Sequence, residues 1–304
     1  MMTTPEYLAA GDRIAIVAPA GKITQKTIGS AAAMLKSWGL EVVLGKYLFR
    51  DAFQYSATDN ERLSDLQEAL DDPSIKAILC ARGGYGTVRI IDRINFDRFK
   101  QAPKWIIGFS DITVLHAHIH SNLGTETIHA AMAAGMAEEG PAAASLKALL
   151  FGSEQGYSFP CHRLSIPGKT TGPLIGGNLS ILTGLLGSAS DVDTKGKILF
   201  IEEVGEHLYR IDRMMWSLKR AGKLDQLSGL LVGGMTEIPD TANAFGKEAY
   251  DIIVDHVKEY NYPVCFNFPA GHQPDNRALI FGRNSFLNID QQCHVQFHTG
   301  NAKA

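Results

Sequence analysis

The chain has 304 residues and a mass of 33.1 kDa, which at roughly 150 residues per domain predicts two domains. Hydrophobic residues make up 45% and charged residues 20%, a globular composition that excludes a disordered chain. The 29 Lys and Arg against 32 Asp and Glu give a net charge of -3, which argues against a nucleic-acid-binding role.

The opening Met1-Met2-Thr3-Thr4-Pro5-Glu6-Tyr7 has no basic segment followed by an apolar one, so no secretory signal is expected. The apolar runs are short and broken by Gly, Lys or Asp, so no membrane association is expected either. Cys80, Cys161, Cys265 and Cys293 are scattered without a C-x-x-C pair and read as reduced thiols, three of them in or beside apolar runs. The expectation is a cytoplasmic protein.

The first half alternates strand and helix patterns. Arg13–Ala18 is an apolar run stopped by Pro19-Ala20-Gly21 and reads as a buried strand. Ile28, Ala31, Ala32, Leu35 and Trp38 have helical spacing, and Gly39 provides the stop. Glu41–Leu44 reads as a strand, and Thr58-Asp59-Asn60-Glu61 has capping-box spacing ahead of Leu63, Leu66 and Leu70. The strand Ile75–Cys80 runs into Arg82-Gly83-Gly84-Tyr85-Gly86, and the strand Trp105–Phe109 into Ser110. This alternation predicts a parallel sheet covered by helices.

Residues 141–170 read as a linker rich in small and polar residues, with one short helical stretch near Leu146–Phe151. Beyond it come Gly172–Gly187, a strand at Lys197–Ile201, and a helix over Leu208–Ala221. A strand at Gly229–Val232, a helix near Lys247–Tyr260 and β-like segments complete the chain. The predicted fold is α/β: an N-terminal parallel-sheet domain over 1–140 and a smaller α+β domain over 171–304.

Four segments could carry chemistry. Ser110 sits where an apolar strand meets a helix, so its hydroxyl faces the crevice beyond the strand ends. The N–H of Asp111 then lies at a helix N-terminus, as in a nucleophile elbow, although Ile112 replaces the last Gly of G-x-S-x-G. The alternative is that Ser110 only caps the helix. The Gly83-Gly84 loop lets backbone N–H groups approach an anion, or is simply a tight turn. Glu202 and Glu203 end a buried strand, where alternation allows only one of them to face a given site. His272 lies alone in the Gly/Pro loop Phe268–Pro274. His116 and His120 share a helix face but have no third ligand by spacing, so no metal is expected. The mixed charges of Arg210–Arg220 read as a solvated helix face.

A Ser, a Glu and a His in that chain order, each after a strand, suggest a serine hydrolase. The chain also resembles the L,D-carboxypeptidases, a serine peptidase family that includes the microcin-immunity peptidases. The resemblance rests on Gly11–Pro19, Arg82–Gly86, Gly108–Asp111, Gly176–Leu179, Phe200–Glu206, Tyr209–Arg213 and Gly271-His272, and covers nearly the whole chain. It implies two domains with the site between them, Ser110 as nucleophile, His272 as general base and Glu202 as its orienter. The family commonly has Asp where Glu203 stands. The resemblance further implies oxyanion donors at Asp111 and in the Gly83-Gly84 pair, with Gly84 favoured, and Gly83, Tyr85 and Asn178 lining the site. The implied substrate is the murein tetrapeptide, which loses its terminal D-alanine without a metal or organic cofactor, and the family is often homodimeric. Arg82, Arg210 and Arg277 are candidates by charge for the substrate carboxylate. A microcin-immunity-type peptidase acting on a peptidyl-nucleotide, with Tyr85 or Trp216 as stacking partner, is the alternative enzyme. A non-catalytic α/β binding module, holding a phosphate or sugar on Gly83-Gly84 with Ser110 as a helix cap, is the alternative from another class.

Overall fold

The computed structural model describes residues 2–136, 139–153 and 156–297. The first half runs β1 (Arg13–Val17), α1 (Gln25–Ser37), β2 (Glu41–Leu44), α2 (Asp59–Asp71), β3 (Ile75–Cys80), α3 (Asp97–Gln101), β4 (Trp105–Gly108), α4 (Thr113–Leu123) and β5 (Thr127–His129). These strands form a parallel sheet in the order β2-β1-β3-β4-β5. The apolar runs of β1, β3 and β4 are buried almost throughout, as strands covered on both faces must be. α2 begins with the expected capping box: Thr58 Oγ1 accepts from the Glu61 N–H, and the Glu61 carboxylate accepts from the Thr58 N–H. The segments that follow β1, β3 and β4 meet beyond the carboxyl ends of the strands, where Gly21, Gly83 and Ser110 lie together.

The second half comprises α5 (Pro141–Leu150), β6 (Gly156–Pro160), β7 (Gly168–Asn178), α6 (Leu179–Gly184), β8 (Ile198–Val204), α7 (Leu208–Arg220), β9 (Gly229–Thr236), α8 (Ala249–Val257), β10 (Val264–Cys265), β11 (Leu279–Phe281), β12 (Asn284–Ile289) and β13 (Gln292–Phe297). Its seven-stranded sheet runs β10-β9-β8-β7-β12-β13-β6. The half from β10 to β7 is parallel, and the half from β7 to β6 is antiparallel. No helix among the described residues is long and apolar enough to cross a membrane.

Three features depart from the sequence expectation. The stretch 141–170, read as a linker with one short helical stretch, holds the helix α5 and also β6 and the start of β7. β6 is an edge strand with only Tyr157 fully buried, so it lacks the apolar alternation that marks a strand. Gly172–Gly187 divides at Asn178 into β7 and α6. Finally, β11 returns to the first sheet, where Leu279, Ile280 and Phe281 pair antiparallel with His129, Ile128 and Thr127. A three-residue strand is too short to show a period.

That return is anchored by charge. Arg283 and Glu126 are both 5% exposed, and the guanidinium donates through Nε (3.1 Å) and Nη2 to the two carboxylate oxygens. Its Nη1 donates to Tyr7 Oη at 2.9 Å. Removing one partner of such a pair leaves the other charged and buried. Glu126→Ala should therefore lower unfolding free energy by about 3–5 kcal/mol in urea titration. A loss below about 1 kcal/mol, the worth of an exposed pair, would contradict this account.

Candidate active site

Ser110 begins a short 3-10 turn, Ser110–Ile112, between β4 and α4. Phe109 is fully extended, and Ser110 then adopts φ 63, the left-handed region. This conformation costs a non-glycine residue of order 1–3 kcal/mol, which surrounding packing must offset. Ile112, the departure from the elbow motif, is fully buried over Gly108, where an added Cβ would lie 2.9 Å from Ile112 Cγ1. The hydroxyl is thereby lifted off the end of the sheet.

The glycine loop lies directly against it. A Cβ on Gly83 would sit 3.0 Å from Ser110 Cβ and 3.1 Å from Oγ, so only glycine lets this backbone approach. The Gly83 carbonyl accepts the Gly21 N–H at 2.9 Å. The trans peptide turns the Gly84 N–H the opposite way, and that N–H has no acceptor among the described residues. The Asp111 carboxylate locks loop to turn: Oδ2 accepts the Thr87 N–H at 2.8 Å, just past Gly86. Asp111 is 1% exposed, and burial raises its pKa against the opposing hydrogen bonds from Thr87. Tyr85 is exposed, its ring 6.1 Å from that of Tyr55.

β8 delivers the two carboxylates to opposite faces. Glu202 is wholly buried, and its Oε2 accepts from His272 Nδ1 at 2.7 Å and from the His272 backbone N–H at 3.1 Å. His272 Nε2 lies 3.1 Å from Ser110 Oγ. With Nδ1–H committed to Glu202, Nε2 is free to accept the Ser110 proton. The turn carrying His272 is held by the Gly271 N–H donating to Asn276 Oδ1 and by Thr236 Oγ1 donating to the His272 carbonyl, both at 2.8 Å. The Phe109 ring packs against the imidazole at 4.8 Å between centroids.

Electrostatics favour a basic His272. Burial opposes its cation, but the hydrogen bond and charge of Glu202, with Glu203 and Glu237 beyond, outweigh it, and the pKa is raised. Nearby His129 is fully buried among Phe109, Phe200 and Phe281. Its burial holds its pKa well down, so it adds no positive charge against His272.

The remaining candidates separate. Glu203 accepts from Asn178 Nδ2 at 2.9 Å, from the Ser180 N–H at 2.7 Å and from the Val204 N–H, and burial raises its pKa. Asn178, expected to line the site, is buried, its Oδ1 caps α6, and its amide donates to Glu203. His116 is a satisfied core residue between Thr127 Oγ1 and the Gly108 carbonyl, with burial lowering its pKa to about 4. Among the described residues no three His, Cys, Asp or Glu side chains are placed so that they could hold a metal ion. Arg210 pairs with Glu206, and Arg277 with Asp275. Sequence reasoning missed Thr87, Asn276 and Thr236, which hold the loops of the site. Of these, only Asn276, a turn former five residues after Gly271, gave any local signal.

Two family models match the chain in order: the LD-carboxypeptidase N-terminal domain over residues 14–130 and the LD-carboxypeptidase C-terminal domain over 171–287. A probable murein peptide carboxypeptidase of Bacillus subtilis is 36% identical over 96% of this chain and 93% of that protein. A murein tetrapeptide carboxypeptidase of Pseudomonas aeruginosa is 31% identical over 90% of this chain and 92% of its own length. The crystal structure of muramoyltetrapeptide carboxypeptidase from Oxalobacter formigenes gives a TM-score of 0.86 at 26% identity, covering 94% of this chain and 98% of that one. MccF in complex with glutamyl sulfamoyl guanosine gives the same TM-score of 0.86 at 23% identity, over 97% and 98% of the two chains, a likeness of fold alone. With both models matched and such relatives spanning nearly its whole length, the chain belongs to the LD-carboxypeptidase family and is a serine carboxypeptidase.

Proposed function

We propose that this protein removes the terminal D-alanine from murein tetrapeptide in the cytoplasm, through an acyl-enzyme on Ser110. The reading rests on one observation: the line from Ser110 Oγ through His272 to the buried carboxylate of Glu202. The names of the relatives in Bacillus subtilis and Pseudomonas aeruginosa support the choice of substrate.

His272 Nε2 takes the Ser110 proton as Oγ attacks the scissile carbonyl. Glu202 fixes the tautomer and stabilises the imidazolium. The N–H groups of Asp111 and Gly84 receive the oxyanion, each worth roughly 3 kcal/mol in comparable hydrolases. The tetrahedral intermediate collapses as His272 returns the proton to the leaving D-alanine amine. A water, deprotonated by His272, then frees the shortened peptide from Ser110. Among the described residues Arg82 has no carboxylate partner, whereas Arg210 and Arg277 are paired. Arg82, beside the glycine loop, is therefore the arginine left to meet the substrate carboxylate.

Incubation with L-Ala-γ-D-Glu-meso-diaminopimelate-D-Ala, followed by mass spectrometry, should release free D-alanine. Ser110→Ala should lower kcat by about 10⁴-fold or more. Release by both proteins would mean the nucleophile is misassigned. Silence from both, with cleavage of a peptidyl-nucleotide, would move the substrate to the microcin-immunity type, for which the Tyr85–Tyr55 pair offers a stacking surface.

The base must be neutral to act, so kcat/KM should rise with pH through a midpoint above about 6.5, the ordinary histidine value. Glu202→Gln removes the charge that raises this pKa, and the midpoint should move down while kcat falls by about 10⁴-fold. A midpoint indifferent to Glu202 would contradict the pairing.

A further inference from the structure

Three of the four cysteines meet on the second sheet, in a cluster the peptidase reaction does not use. Cys161 follows β6, Cys293 lies on β13 opposite Phe159 of β6, and Cys265 ends β10. The sulfurs of Cys161 and Cys293 are 2.7 Å apart, well inside the separation of about 3.5–4.0 Å at which unbonded carbon atoms rest. Cys265 supplies a third thiol beside them, its Sγ directed at the Phe266 carbonyl at 3.9 Å. Cys161 is partly exposed, whereas Cys265 and Cys293 are buried, so a reagent from solvent meets Cys161 first.

We propose that Cys161 and Cys293 form an oxidation site that closes to an intrachain disulfide when a hydroperoxide reaches Cys161. The Cys161 sulfur, as thiolate, attacks the terminal peroxide oxygen. The O–O bond breaks, and the leaving alkoxide or hydroxide takes the thiol proton, leaving Cys161 as a sulfenic acid. The Cys293 thiolate then attacks the Cys161 sulfur and displaces hydroxide, which takes the Cys293 proton and leaves as water. In sum, two thiols and one hydroperoxide give one disulfide, one alcohol (water, for hydrogen peroxide) and one water. The two thiols are oxidised by two electrons, and the peroxide is reduced by two.

The neighbours suit this order. Cys293 has a lowered pKa because Cys265 and Cys161 donate to it, which favours the attacking thiolate of the second step. Burial raises the pKa of Cys161, which makes the first step slow. Cys80 is buried in β3 of the other sheet, and burial raises its pKa too, so it serves as an internal control.

The test uses the whole protein, treated with hydrogen peroxide, alkylated under denaturing conditions and mapped without reduction. Titratable thiols should fall from four to half that number. One cross-linked peptide pair should contain Cys161 and Cys293, and dithiothreitol should restore the thiols. Cys161→Ser and Cys293→Ser should each abolish the link, and Cys80→Ser should not. The link joins residues 132 apart, so the oxidised protein should also unfold at higher urea than the reduced one. Retention of all four thiols would overturn the proposal. So would a sulfinic acid on Cys161 without a link, a Cys265–Cys293 link, or a link between two chains. The mapping of the unmutated protein decides the matter even if a serine variant fails to fold.

Discussion

Ser110 stands on one sheet, and Glu202 and His272 stand on the other, so everything depends on how closely the two sheets meet. One close approach is at Gly177, near the end of β7. A Cβ there would lie 2.4 Å from Thr113 Oγ1 at the start of α4. The next backbone N–H, that of Asn178, donates to the same oxygen at 3.0 Å. Thr113 is three residues past the nucleophile. Any side chain at position 177 would push α4, and Ser110 with it, away from β8. The aromatic cluster of Phe109, His129, Phe200 and Phe281 fills the space behind this contact with groups from both sheets.

On that base, strand alternation turns two adjacent carboxylates into different devices. Glu202 faces the site and directs one oxygen at His272. Glu203 faces away, where it accepts three donors and holds the start of α6 against the end of β8. Both are buried, but only Glu202 has a titratable partner. Ser110 shows the same economy: its left-handed φ is tolerated because Asp111, beside it, is bonded into the glycine loop. The residue expected to offer a backbone donor also supplies the side chain that fixes the turn.

Much of this was legible in the sequence because it is local. The apolar runs ending at Val17, Cys80 and Gly108 mark buried parallel strands, and chemistry collects past their ends. The capping box at Thr58 gave the start of α2. Chain order suggested a Ser, a Glu and a His together, and the family resemblance chose Glu202 over Glu203. What stayed hidden is long-range. The pairing of edge strand β6 with β13, far apart in the chain, brings Cys161 to Cys293, and no spacing rule reports it. The return of β11 to the first sheet depends on Arg283 finding Glu126, 157 residues away. The role of Asn178 could not be read from sequence because the helix it caps and the carboxylate it holds, Glu203, belong to different segments.

The central claim is that His272 and Glu202 make Ser110 a nucleophile. A fluorophosphonate probe followed by peptide mapping reads that directly. The account predicts one adduct, on Ser110, whose rate of formation collapses in His272→Ala while the fold persists by circular dichroism. An unlabelled Ser110, or labelling at the same rate without His272, would contradict it.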